Sequence, residues 1–219
     1  PQAAEIFKAH HIDFCCGGNR PLAEAIREQK LNEGELLNNL NSAFQQSQQF
    51  RHSELDWRSE PLGKLVDHII NTHHAYVQRE LPQISELVTK ILRVHGANHA
   101  ELSKVHRLFH NLKMELEQHL IKEEEILFPL IKQYEKAPSG ELLTRIKQVM
   151  GETEQEHDAA GDIIKELRHI TGQYAIPADA CTTFSLTYRK LEDFEADLFQ
   201  HIHLENNILF KRLNIAVTE

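Results

Sequence analysis

The chain is 219 residues long, 41% hydrophobic and 26% charged, which is globular rather than disordered and leaves room for one ordinary domain and a smaller one. Its formal charge of −9 excludes a nucleic-acid backbone as the main partner, because that needs a concentrated basic face. No apolar run approaches the ~20 residues that span a bilayer, and no basic-then-apolar leader opens the chain, so no membrane partner and a cytoplasmic protein are expected.

Residues 3–10 read as a short helix and 13–19 as a turn containing Cys15 and Cys16. A helix is predicted from near Pro21, with Asn19 as its N-cap, and another over about 33–46. The polar, aperiodic stretch 45–53 reads as a linker. Four long helical patterns follow. The first covers about 61–94, with a kink expected at Pro82. The second covers 99–135, opened by Asn98 and Glu101 in the manner of a capping box. The third covers 140–171, between Pro138-Ser139-Gly140 and Gly172, and the fourth runs from near Pro177 to about 212. The fold class is therefore all-α: an up-down-up-down four-helix bundle over 61–219, a linker at 53–60 and a small helical N-terminal domain over 1–52.

The inward stripe of each long helix is broken by polar residues. The first reads Val66, Ile70, His74, Val77, Leu81, Ile84, Val88; the second Val105, Leu108, Leu112, Glu115, His119, Glu123, Ile126, Leu130. The third reads Leu142, Ile146, Val149, Thr153, His157, Ala160, Ile164, Leu167. The fourth reads Phe184, Thr187, Leu191, Phe194, Leu198, His201, Glu205, Ile208, with Arg212 next in phase marking where it leaves the core. His73 competes with His74, following Leu62, Leu65 and Ile69, but its stripe fails at Glu80 and the longer series favours His74.

A lone buried histidine is weak evidence of metal, since a satisfied core histidine looks the same. Four, one per helix, with two carboxylates at matching levels, are another matter, because buried carboxylates are normally paired or metal-bound. His119-x-x-x-Glu123 and His201-x-x-x-Glu205 each place an imidazole and a carboxylate one turn apart on one face. With His74 and His157 they supply four nitrogens and two bridging carboxylates, a set suited to two first-row ions such as iron. A closed zinc site prefers four tetrahedral ligands, and calcium or magnesium more oxygen.

The remaining candidates carry two readings each. Glu115, one turn before His119, is an outer partner for an imidazole, a proton relay or an iron exit route, or else a salt-bridged buried carboxylate; Glu156 could serve similarly from nearer the edge. Cys15 and Cys16 precede a helix N-terminus, which favours a reactive thiolate for redox or metal transfer, against simple packing. Cys181, at a helix start, reads as structural. Glu124 and Glu125 are expected to be solvated, and His52, His95, His99, His106 and His110 to lie at the surface.

With these residues in view, the chain resembles the hemerythrin-like di-iron proteins, and most closely the repair-of-iron-centres family of bacterial iron–sulfur cluster repair proteins. The resemblance rests on 13–18 (DFCCGG), 67–70 (DHII) leading to His74, 119–129 (HLIKEEEILFP), 156–161 (EHDAAG) and 201–210 (HIHLENNILF). It implies a non-haem pair of iron ions, oxo- or hydroxo-bridged, on His74, His119, Glu123, His157, His201 and Glu205, with Glu123 and Glu205 bridging. It also implies repair of clusters damaged by nitric oxide or oxidants, with the damaged proteins as partners and nitric oxide or oxygen as small ligands. Oxygen-carrying hemerythrins place a second histidine one turn after that of the third helix, where this chain has Gly161, and the more open site fits redox or iron-donating chemistry better than oxygen carriage. The competing expectations are reduction of nitric oxide at the irons, a module that binds or senses oxygen or nitric oxide, and a metal-free helical interaction protein; a homodimer stays open.

Overall fold

The computed structural model describes residues 2–10, 12, 14, 21–49 and 56–215, so Cys15, Cys16, Asn19 and His52 lie outside the described residues. Among the described residues all regular structure is helical. The helices are α1 (Gln2–Ala9), α2 (Leu22–Glu28), α3 (Glu33–Gln49), α4 (62–95), α5 (101–136), α6 (Gly140–Ile170) and α7 (182–215). None is long and apolar enough to cross a membrane. By compactness the chain divides into Pro1–Pro61 with Ile202–Glu219, and Leu62–His201, α7 running through the division.

In the first unit Ile12, Ala25, Ile26 and Leu36 form a small core, with Ile6, Phe7, Leu22, Leu31 and Leu40 packed on it. Asn32 caps α3 by accepting the Glu35 N–H at 3.2 Å, and Glu33 and Glu35 suit the positive end of that helix. The helix continues to Gln49, so the glutamines read as linker at 45–49 are helical. The Phe14 carbonyl accepts from Asn207 Nδ2 at 3.3 Å, and the Phe14 and His203 rings meet edge-on at 5.7 Å.

The second unit is a bundle of α4, α5, α6 and α7 up to His201, joined by short turns at 96–100 and 137–139 and a longer one at 171–181. Ser139 caps α6, accepting the Leu142 N–H at 3.2 Å. The capping box at α5 does not form: Ala100 holds the cap position without a side-chain bond, and Glu101 instead faces His99 Nδ1 at 3.0 Å. The last helix starts at Thr182 rather than near Pro177. Gly172, Gln173 and Tyr174 all take left-handed φ (59°, 63° and 57°), which ends α6 and turns the buried Tyr174 inward before the chain re-enters a helix. Pro82 leaves the 75–95 segment of α4 unbroken.

The irregularities lie elsewhere. α4, α5 and α7 each contain one wide turn, at Ile70–His74, Glu123–Leu127 and Glu205–Leu209, in which Ala75, Phe128 and Phe210 donate their N–H to the carbonyl five residues back. An extra residue per turn advances the buried face by one position. In α4, Leu65, Val66 and Ile69 are buried before the wide turn and His73, His74, Val77, Glu80 and Leu81 after it, so both competing phases stay buried across it. Glu80, where the His73 stripe was expected to fail, is buried with its carboxylate accepting from Lys190 Nζ at 2.5 Å. In α5 the buried face passes to Leu127 and Ile131, leaving Ile126 47% exposed and Leu130 half-buried. In α7 it passes to Leu209 and Leu213, so the core continues beyond where Arg212 was expected to end it. Pro129, which has no N–H and needs room beside the preceding turn, follows the wide turn of α5. The other two wide turns have no such proline. α6 has no wide turn, and its expected stripe is buried at every position but Val149, which is half-buried beside a buried Met150.

Candidate metal centre

Each wide turn carries a candidate ligand at its edge: His74 ends the first, Glu123 opens the second and Glu205 opens the third. His119 and His201 stand one turn before Glu123 and Glu205 on their own helices, and His157 projects from the regular α6. Glu205 is thus carried to its place by the same continuous helix as His201. All six are buried, at 4% exposure or less.

Their ligating atoms form two overlapping groups, each with all atoms within 4.8 Å of one another: His74, Glu123, His201, Glu205, and His119, Glu123, His157, Glu205. The paired imidazoles approach through Nε2, at 3.1 Å for His74 and His201 and 3.2 Å for His119 and His157. One oxygen of Glu123, Oε2, lies 3.3 Å from both His74 Nε2 and His119 Nε2, and Oε1 is 4.0 Å from His157 Nε2.

The outer faces of two of these rings are held by carboxylates. His74 Nδ1 donates to Glu124 Oε1 at 2.8 Å, and His119 Nδ1 to Glu156 Oε2 at 2.8 Å. Since a carboxylate only accepts, the Nδ1 atoms carry the protons and the Nε2 lone pairs point inward at Glu123. Glu156 also accepts from Lys122 Nζ at 2.6 Å. The His119 bond, followed by that from Lys122, pulls the Glu156 carboxyl down to about 2. Although fully buried, neither oxygen of Glu123 accepts a hydrogen bond. Lone pairs and a buried carboxylate converging on one spot are a poor arrangement unless a cation joins them. Nitrogen and carboxylate donors in this proportion suit first-row ions, so the residues present fit a metal pair.

A family model described as the hemerythrin HHE cation binding domain matches residues 65–213, more than half of the chain. The chain belongs to that family. A second model, a domain of unknown function (DUF542), matches residues 1–44. Proteins named iron–sulfur cluster repair protein YtfE from Escherichia coli O81 (strain ED1a) and Escherichia coli O157:H7 are 36% identical over 212 residues, covering 97% of this chain and 91% of theirs. The protein of that name from Escherichia fergusonii is 35% identical over the same shares.

Within this hemerythrin HHE chain the sequence stripes brought the six ligand candidates together but misplaced their surroundings. Glu115 is exposed rather than inward; Leu112 and Leu116 hold the inward face before His119. The outer role weighed for Glu115 falls to Glu156, and Glu124, expected to be solvated, is bound to His74. The signal available was spacing: Glu156 precedes the ligand His157 and Glu124 follows the ligand Glu123. His73 is buried as well, with Nδ1 3.0 Å from Asp197 Oδ1 and its ring stacked on His201 at 5.7 Å. Gly161, one turn after His157, is buried.

At 95–99 and 179–181, His95 and His99 are half-buried and each has a partner. His95 Nε2 lies 3.1 Å from Cys181 Sγ, and His99 faces Asp179 at 3.2 Å. Cys181, read as structural, is exposed. His106 and His110, also half-buried, meet Thr89 and Ser85 at 3.1 and 3.0 Å.

Proposed function

We propose that the chain is a cytoplasmic di-iron protein that repairs iron–sulfur clusters damaged by nitrosative or oxidative stress, by supplying iron to them. The observation that carries the reading is the sharing of Glu123 and Glu205 between two His₂Glu₂ groups, which suits two adjacent ions better than one. One iron would sit on His74 and His201 and the other on His119 and His157, with the two glutamates bridging. Bound there, the iron pair supplies one-electron redox chemistry and a store of iron. The protein's own part is to hold and orient. Glu124 and Glu156 fix the Nδ1 tautomers of His74 and His119, and the apolar packing around the ligands excludes water.

Gly161 contributes no ligand one turn beyond His157, which leaves that side for a small ligand such as nitric oxide or oxygen. The relatives' name, iron–sulfur cluster repair protein, supports damaged cluster proteins as partners. In this reading residues 1–52 form a separate domain joined by the linker at 53–60, and Cys15 and Cys16 are candidates for handling thiol-bound metal.

Metal analysis of the purified protein, with repair of a nitric-oxide-damaged cluster enzyme as the assay, tests this. Two irons per chain are expected, with loss of both iron and repair in His157→Ala. Repair by an iron-free variant, or zinc in place of iron, would overturn it. Turnover of nitric oxide with a reductant, without transfer of iron, would favour an enzyme instead.

A further inference from the structure

The two outer carboxylates are matched in geometry and unlike in charge. Glu124 and Glu156 each accept an imidazole Nδ1–H at 2.8 Å. Glu124 is otherwise met only by the neutral Gln78 amide, at 3.4 Å, and among the described residues no lysine or arginine pairs with it. Glu156 is met by the Lys122 ammonium at 2.6 Å. Lys122 directly precedes the bridging candidate Glu123 in the chain yet stands outside the donor set. On the other flank, His73 stacks on His201 and is itself paired with the carboxylate of Asp197, so the His74–His201 side gains a second acidic group and no ammonium.

An anionic acceptor on Nδ1–H pushes electron density toward Nε2 and strengthens the imidazole as a ligand. An ammonium on that carboxylate draws the charge back. We propose that Lys122, by neutralising Glu156 behind His119, makes the two ion positions unequal, so that the ion on His119 and His157 binds second and leaves first. The inference rests on the two-ion reading above and deepens it, since it names which ion is available for donation. Lys122 and Glu156 act through His119 and are positioning residues. Side-chain exposure of 31% for Glu124 and 44% for Glu156 screens the effect, which confines it to a difference in affinity.

The test is a cobalt(II) titration of the full-length protein stripped of metal by chelation. Visible absorption follows uptake, and circular dichroism checks that each variant is folded. Wild type should take up two ions in two resolved steps. Lys122→Met should tighten the second step by up to about tenfold and leave the first in place, while Lys122→Arg behaves as wild type. Glu156→Gln should weaken the second step about 10- to 100-fold, and Glu124→Gln the first, the range that outer partners of metal ligands command. Equal steps in wild type, an unchanged step ratio in Lys122→Met, or an effect of Glu156→Gln on the first step would overturn the inference while leaving the two-ion centre standing. Uptake of fewer than two ions would remove the two-ion reading, and the inference with it.

Discussion

Replacing Glu123 by glutamine separates what the carboxylate costs from what it is for. Its Oε2 lies 3.3 Å from two imidazole nitrogens, His74 Nε2 and His119 Nε2, and neither donates to it. Their protons sit on Nδ1, held by Glu124 and Glu156. A buried carboxylate without a hydrogen-bond donor costs about 1–3 kcal/mol or more, and a neutral group of similar shape removes part of that cost. Metal-free Glu123→Gln should therefore be more stable than wild type by about 2 kcal/mol, or about 4–8 °C in Tm for a chain of this size. Urea melts at pH 7 followed by circular dichroism would read the gain as a higher midpoint at unchanged slope. Ferrous iron should reverse the order. Wild type gains about 4 kcal/mol at a thousandfold excess of ligand over Kd, whereas a neutral amide cannot bridge two cations and gains far less. Destabilisation of the metal-free variant by more than about 1 kcal/mol, or an iron-induced gain equal to that of wild type, would refute the reasoning.

Two further outcomes are expected away from the centre. Glu195, 4% exposed, is held by the Arg168 guanidinium and by the Tyr174 hydroxyl at 2.8 Å. Arg168→Met strands that charge and should cost about 3–5 kcal/mol, while Tyr174→Phe removes one hydrogen bond to it and should cost about 1.5–3 kcal/mol; equal losses in urea melts would mean that packing, not charge, governs the corner. The Cys181 thiol is pulled down to about 7, first by the Phe184 backbone N–H at the start of α7 and then by His95. A lowered pKa means thiolate above that pH, so alkylation of the Cys181 peptide, followed by mass spectrometry, should rise through pH 7 and level off above it. His95→Ala should move the inflection upward only in part, because the Phe184 bond remains; an inflection near pH 9 in wild type would contradict the geometry.

The four long helices and the six ligand candidates were legible because both depend on local periodicity. Charged and imidazole side chains interrupting an apolar stripe report their own burial, whatever the stripe packs against. The partners of the imidazoles were not legible in the same way. Glu156 reaches His119 across 37 residues of chain and Glu124 reaches His74 across 50, so both depend on how neighbouring helices are set against each other. Glu115 was misjudged for a related reason: a 3.6-residue period leaves adjacent phases nearly equivalent, and the packing chose Leu116.

By itself the sequence determined an all-helical chain and a buried set of four histidines and two glutamates on four helices. It also held a sign of what it could not resolve, in the two phases that meet at His73 and His74. The tertiary structure buries both, and the turn between Ile70 and His74 carries one residue more than an α-helical turn. The same insertion at Glu123 and Glu205 moves the core to Leu127 and Leu209. A widened turn gives up regular hydrogen bonding within its own helix, so local preference does not select it. Each of the three carries a ligand candidate at its edge, and those candidates face one another only once the bundle is assembled.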